Sequence, residues 1–147
     1  MPTIHHAGLT VRDLDRSLAF YRDSLGMEPM MDVQHRVGGY WGEIVGYPDV
    51  DVRFVHVAFP GDDRRLELVE FRTPEPRGDA GEPRDVGVTH VCLLVDDVAA
   101  LAERLERAGG TSYSAPVKVT EGPNAGGVGL YLRDPDGITV ELFQAPR

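Results

Sequence analysis

Residues able to bind a metal stand at equivalent places in a pattern that this chain carries twice. The pattern is His-x-x-Leu-x-Val-x-Asp, first as His6, Leu9, Val11 and Asp13, then as His90, Leu93, Val95 and Asp97, with one constant offset between the copies. Each copy is followed well downstream by an acidic residue between aliphatic ones, Leu66-Glu67-Leu68 and Val140-Glu141-Leu142. His6, Glu67, His90 and Glu141 form a mixed nitrogen and oxygen donor set suited to one divalent ion: Ni, Co, Zn, Mn or Fe. Two carboxylates neutralise such an ion, and an octahedral arrangement leaves positions open for water or substrate oxygens. A lone His or Glu is usually structural, but these coincide with a duplication. His5, His35 and His56 lack that support and are expected not to be ligands.

The elements that must position these side chains can be read from periodicity. Ile4 to Val11 reads as a strand with Ala7, Leu9 and Val11 on one face and His6, Gly8 and Thr10 on the other, because strand side chains alternate. Thr89 to Val95 likewise sets His90 and Cys92 opposite Val91, Leu93 and Val95. In the late strands Glu67 lies opposite Leu66 and Leu68, and Glu141 opposite Val140 and Leu142. A carboxylate in mid-strand between apolar neighbours is costly unless paired, solvated or metal-bound. Cys92, on the face of His90, is expected to be a small buried hydrophobe rather than a residue lining the pocket, and Glu70 a surface or edge residue.

Helices should follow each first strand, capped by Asp13 or Asp15 and by Asp97. The first carries Leu18, Tyr21 and Leu25 and stops at Gly26. The second carries Val98, Leu101, Leu105 and Ala108 and stops at Gly109-Gly110. Further strands are expected over Pro29 to Gln34, Val52 to Phe59, Arg65 to Phe71, Pro116 to Val119, Val128 to Arg133 and Thr139 to Gln144. Asp134-Pro135-Asp136-Gly137 is a turn between the last two. Val37 to Pro48 reads as a Gly-rich stretch whose Tyr40, Trp41 and Tyr47 either cover a substrate or pack locally. The order is βαβββ twice, an α+β class. Module one covers about residues 1–73, a Pro-rich linker about 74–86, and module two about 87–147.

Bulk properties narrow the function classes. A chain of 147 residues can form one domain with a sizeable core, or two half-domains. A net charge of −9 argues against nucleic acid or an anionic membrane surface as partner. Cys92 is the only cysteine, which fits a reducing cytoplasm. Neither a signal peptide nor a spanning apolar run is visible. Lys118 is the only lysine, which makes Schiff-base chemistry an unattractive reading.

The segments His6-x-x-Leu-x-Val-x-Asp-Leu-Asp-Arg-Ser-Leu-x-Phe-Tyr with Leu25-Gly26, and Asp134-Pro135-Asp136-Gly137-x-x-Val-Glu-Leu, resemble the vicinal oxygen chelate superfamily. That superfamily includes glyoxalase I, methylmalonyl-CoA epimerase, extradiol dioxygenases and the fosfomycin and bleomycin resistance proteins. The resemblance covers nearly the whole chain. It implies a single glyoxalase-like domain over 1–147, with paired βαβββ modules forming a cupped, mostly antiparallel sheet around one divalent metal. It places the ligands at His6, rather than His5, and at Glu67, His90 and Glu141. It also implies a small-molecule substrate and a homodimer. Gly126-Gly127-Val128-Gly129 then becomes a loop at the cavity rim rather than a phosphate loop.

The chemistry so implied is a lyase or isomerase reaction of glyoxalase or acyl-CoA epimerase type. A proton alpha to a carbonyl moves through a metal-stabilised enolate, with Glu141 or Glu67 as base. The Asp-Pro-Asp-Gly turn is glyoxalase-like, whereas Val52 to Phe59 with Leu66-Glu67-Leu68 is closer to the epimerase, and no glutathione-binding set stands out. An Fe(II) extradiol dioxygenase is an alternative, for which His6, His90 and Glu141 suffice and Glu67 is surplus. A non-catalytic drug- or metabolite-sequestering protein is another, against which the filled ligand positions weigh.

Overall fold

Asp13 and Asp97 start equivalent helices in two separate sheets. In a computed structural model, which describes residues 1–146, the chain divides into two units, Met1–Gly78 and Asp79–Arg147. The first unit runs β1 (Ala7–Val11), α1 (Leu14–Ala19), β2 (Glu28–Pro29), β3 (Gln34–Val37), α2 (Gly39–Val45), β4 (Asp51–Ala58) and β5 (Arg65–Thr73). The second runs β6 (His90–Leu94), α3 (Val98–Arg107), β7 (Thr111–Ser112), β8 (Val117–Lys118), β9 (Val128–Arg133) and β10 (Thr139–Gln144). Asp13 Oδ1 accepts from the Arg16 backbone N–H at 3.0 Å, and Asp97 Oδ1 from that of Ala100 at 2.9 Å. Each satisfies a donor that a helix start leaves orphaned, a contribution of about 1 kcal/mol. A wider π-helical turn, Phe20–Ser24, extends α1.

The sheets repeat one topology. β1 pairs in parallel with β5, and β5 is antiparallel to β4; β6 pairs in parallel with β10, and β10 is antiparallel to β9. On the outer side of β4 lie both β2 and β3, and on that of β9 both β7 and β8. The expected second strand of each module is thus present only in pieces. The expected strand from Pro29 to Gln34 becomes β2 and β3 with a break over residues 30–33. Pro29 has no N–H to give a ladder, and the Met30 N–H still reaches the His56 carbonyl at 2.9 Å. The expected strand from Pro116 to Val119 shrinks to β8, with β7 added before it.

Alternation gives each sheet a helix-bearing face. In the first unit Val55 pairs with Leu68 and Val57 with Leu66, and all are buried together with Leu14 and Leu18 of α1. In the second, Leu130 pairs with Leu142 and Leu132 with Val140, buried with Val98, Ala102 and Leu105 of α3. Burying an aliphatic side chain of this kind is worth about 1.5–3 kcal/mol. Ala7, expected on the apolar face of its strand, is exposed at the start of the sheet's edge strand.

The Gly-rich stretch contains a helix that the sequence reading did not assign. Gly38 and Gly39, at φ 54° and 58°, turn the chain into α2, and Gly46 at φ 76° ends it in a left-handed cap. Gly42 faces the chain beyond α2 so closely that a Cβ there would lie 2.8 Å from the Tyr47 carbonyl oxygen. That approach seats Trp41 and Val45 on a second small core of Val50, Val52, Phe54 and Val69. No helix among the described residues is long and apolar enough to cross a membrane.

Candidate active site

The strand faces that carry no long helix bear the chemistry. In β4 and β5, Phe54 and His56 share a face with Val69 and Glu67, since Phe54 pairs with Val69 and His56 with Glu67. The Phe54 and Val69 end of this face lies in the small core beneath α2, and the His56 and Glu67 end is polar. Gly8 is the register partner of Glu67 on β1 and carries no side chain to crowd it. His6 precedes β1 directly rather than lying within it, yet its Nε2 comes within 3.4 Å of Glu67 Oε2. The Nε2–H of His56 donates to Glu67 Oε1 at 3.1 Å. His56 and Glu67 are each only 14% exposed. His5 Nδ1 meets His6 Nδ1 at 2.8 Å, so one ring donates to the other and the Nε2 edge of His6 is turned toward Glu67.

The second unit repeats the pair with different neighbours. His90 Nε2 lies 3.2 Å from Glu141 Oε2. Glu141 is flanked in register by Cys92 on β6 and Tyr131 on β9. The Tyr131 hydroxyl reaches His90 Nε2, not the carboxylate, at 3.2 Å. Burial first, then the hydrogen bond and charge of Glu141, push the Cys92 thiol up to about 11. Cys92 is therefore a neutral thiol at ordinary pH and, contrary to expectation, an exposed one. Burial, reinforced by the Glu141 charge, also raises the Tyr131 phenol above its ordinary value. Thr139, the register partner of His90, has a buried hydroxyl without a hydrogen-bond partner.

The structure brings His6 to Glu67 in one unit and His90 to Glu141 in the other. Both pairs meet through the same atoms, Nε2 and Oε2. Neighbouring donors about 2.1 Å from a shared ion sit about 3 Å apart, so the separations of 3.4 and 3.2 Å suit two ligands of one metal. Among the described residues, no group of three or more His, Cys, Asp or Glu is arranged to hold a metal ion. Each unit by itself thus presents one imidazole–carboxylate pair.

Other candidates resolve differently. His35 is tied to Asp51 at 2.7 Å in an exposed pair. Glu70 is not a plain surface acid, since Arg53 bridges it, at 3.1 Å, to Asp15, at 2.9 Å. Trp41 packs on Phe54 with ring centroids 4.8 Å apart, and Tyr47 meets Phe71 edge-on, so both pack locally; Tyr40 is exposed. Gly126 lines a surface cleft with Asp97, Gln144 and Ala145 that contains none of the expected ligands. Gly127 lies close against β10, where a Cβ would meet the Gln144 carbonyl oxygen at 2.7 Å.

Sequence reasoning passed over His56 and Tyr131. Each stands directly across a hairpin from its glutamate, and counting outward from the turns reveals both. Ala58 pairs with Arg65 across the Gly61 turn, and Arg133 with Thr139 across the Asp134 to Gly137 turn.

Comparisons with known proteins agree with this architecture. A family model described as the glyoxalase/bleomycin resistance protein/dioxygenase superfamily matches residues 3–142. A protein of Actinomyces sp. named 2-epi-5-epi-valiolone epimerase is 31% identical, over 97% of this chain and 79% of its own length. A probable lactoylglutathione lyase of Vibrio parahaemolyticus is 28% identical, over 96% of this chain and 89% of its own. Among solved structures, a glyoxalase family protein from Bacillus cereus superposes with a TM-score of 0.87 at 21% identity, covering 100% of this chain and 96% of that one. Glyoxalase I from Zea mays gives 0.66 at 25% identity, with 97% of this chain matching 44% of the plant protein.

Proposed function

Because the chain belongs to the glyoxalase/bleomycin resistance protein/dioxygenase superfamily, we propose that it is a divalent-metal-dependent lyase or isomerase that moves a proton alpha to a carbonyl. His6, Glu67, His90 and Glu141 are the proposed ligands. The observation that carries this reading is the repeated half-site, in which an imidazole Nε2 meets a carboxylate Oε2 at 3.4 Å in one unit and 3.2 Å in the other. When bound, the ion supplies positive charge against the oxygen on which charge develops as the proton leaves. The relatives named epimerase and lactoylglutathione lyase support the lyase or isomerase class.

Glu141 is the proposed base. Its Oε2 faces His90 and its other close neighbours are the weakly acidic Cys92 thiol and the Tyr131 ring. It is 24% exposed, against 14% for Glu67, and so is better placed to meet a substrate carbon. The Tyr131 hydroxyl, at 3.2 Å from His90 Nε2, would give up that contact when the nitrogen takes the ion and is then free to face the substrate. Phe54 and Val69 give the half-site of the first unit an apolar border that can exclude water from one side.

Proton exchange in deuterated water tests the reading. Protein loaded with Co²⁺ or Ni²⁺ is incubated with the glutathione hemithioacetal of methylglyoxal and, separately, with 2-epi-5-epi-valiolone, and deuterium at the alpha carbon is followed by NMR. Exchange with either compound is expected, falling about 10²–10⁴-fold in Glu141→Gln, the usual contribution of a positioned base. Wild-type exchange that survives Glu141→Gln unchanged would remove Glu141 from the role.

A further inference from the structure

The positions facing the two glutamates across their hairpins are the same in topology and different in chemistry: His56 opposite Glu67, Tyr131 opposite Glu141. His56 takes hold of the carboxylate, with Nε2 3.1 Å from Glu67 Oε1. Tyr131 instead takes hold of the imidazole, with its hydroxyl 3.2 Å from His90 Nε2. Glu67 therefore has an imidazole on each oxygen, His56 on Oε1 and His6 on Oε2. Glu141 has one, His90 on Oε2.

We propose that His56 is a positioning residue that fixes Glu67 by its Oε1, presenting Oε2 to the metal and making Glu67 the immobile carboxylate of the pair. The inference rests on the metal site proposed above. A carboxylate held from outside by an N–H donor has its rotamer set before the ion arrives, so less order is lost on binding. The hydrogen bond is sheltered, since donor and acceptor are each 14% exposed. His56 is itself placed firmly, within the long pairing of β4 with β5 and next on its face to the buried Phe54. Gly8 completes the arrangement. It stands beside Glu67 on the β1 side, where an added Cβ would lie at an ordinary contact distance of 4.0 Å from Oε2. The equivalent place beside Glu141 is filled by Cys92.

The test is Co²⁺ affinity, measured by calorimetry on full-length wild type, His56→Leu, His56→Gln and His35→Ala, with thermal midpoints taken on the metal-free proteins. Leucine fills the volume without a donor, whereas glutamine retains an N–H within similar reach. His56→Leu should bind Co²⁺ about 10–100-fold more weakly, and His56→Gln should stay within about threefold of wild type, as expected when an outer hydrogen bond orients a ligand. His35→Ala, whose imidazole belongs to an exposed pair with Asp51, should bind as wild type does. If His56→Leu does not fold, His56→Ala replaces it. Wild-type affinity in His56→Leu overturns the inference alone, and so do equal losses in His56→Leu and His56→Gln, which mark a merely structural role. A wild-type protein without Co²⁺ affinity overturns the metal reading first and the inference with it.

Discussion

The two units share a His–Glu pair and differ in what surrounds it. In the first, the chain between β3 and β4 folds into α2, which covers part of the functional face with Trp41 and Val45 and builds a second core there. In the second, the corresponding chain between β8 and β9 forms turns and no helix. The face of β6 that carries His90 and Cys92 remains open, and Leu94 at its end is 74% exposed. One face is thus walled and holds its glutamate between imidazoles. The other is accessible and sets its glutamate beside a thiol and a phenol. The two units thus keep the His–Glu pair constant while the chain beyond it and the residue across the hairpin differ, His56 in one and Tyr131 in the other.

The most severe way to break this comparison is to remove one imidazole from either half. His6→Ala and His90→Ala should each abolish stoichiometric binding of a divalent ion while circular dichroism and thermal midpoint stay close to wild type, because neither side chain belongs to a core. Tight binding retained in both variants would show that the two half-sites do not serve one ion.

A smaller effect sharpens the contrast between the walled and the open face. Trp41→Ala should cost about 2–3 kcal/mol in denaturant unfolding, somewhat less than a fully buried tryptophan, because Trp41 is only partly buried against Phe54. Leu94→Ser should change stability by less than about 0.5 kcal/mol, as an exposed substitution does. Equal costs would mean that the two faces are covered alike.

The smallest effect concerns how α1 is tied to its sheet. Arg53 hydrogen-bonds Asp15 and holds its carboxyl below the usual range. A lowered value means that the unfolded chain binds more protons, so the stabilisation is complete above the ordinary carboxyl value and fades as pH falls through the folded one. Asp15 is well exposed, so Asp15→Asn should cost less than about 1 kcal/mol at pH 7. The difference from wild type should shrink toward zero in acid; a cost independent of pH would assign the effect to packing instead.

Much of this was legible in the sequence because it depends on local rules. Asp13 and Asp97 are caps by residue type and position. Val128 to Arg133 and Thr139 to Gln144 are strands by alternation, and the turn Asp134 to Gly137 joins them. Duplication singled out His6, Glu67, His90 and Glu141 as one set of candidates; that they meet two by two, His6 with Glu67 and His90 with Glu141, is a finding of the structure. What escaped depends on contacts between distant segments. α2 is short, starts at the second of two glycines and owes its stability to Trp41 and Val45 packing on β4 and β5, which no local propensity announces. His56 was set aside because it has no counterpart imidazole in the second unit. Its role appears only once hairpin register places it against Glu67.

Metal content measured by elemental mass spectrometry on protein purified without an affinity tag tests the central claim most directly. The account predicts about one divalent ion per chain, lost together with Co²⁺ rebinding in both His6→Ala and His90→Ala. Protein that carries no divalent ion and takes up none on reconstitution would contradict it.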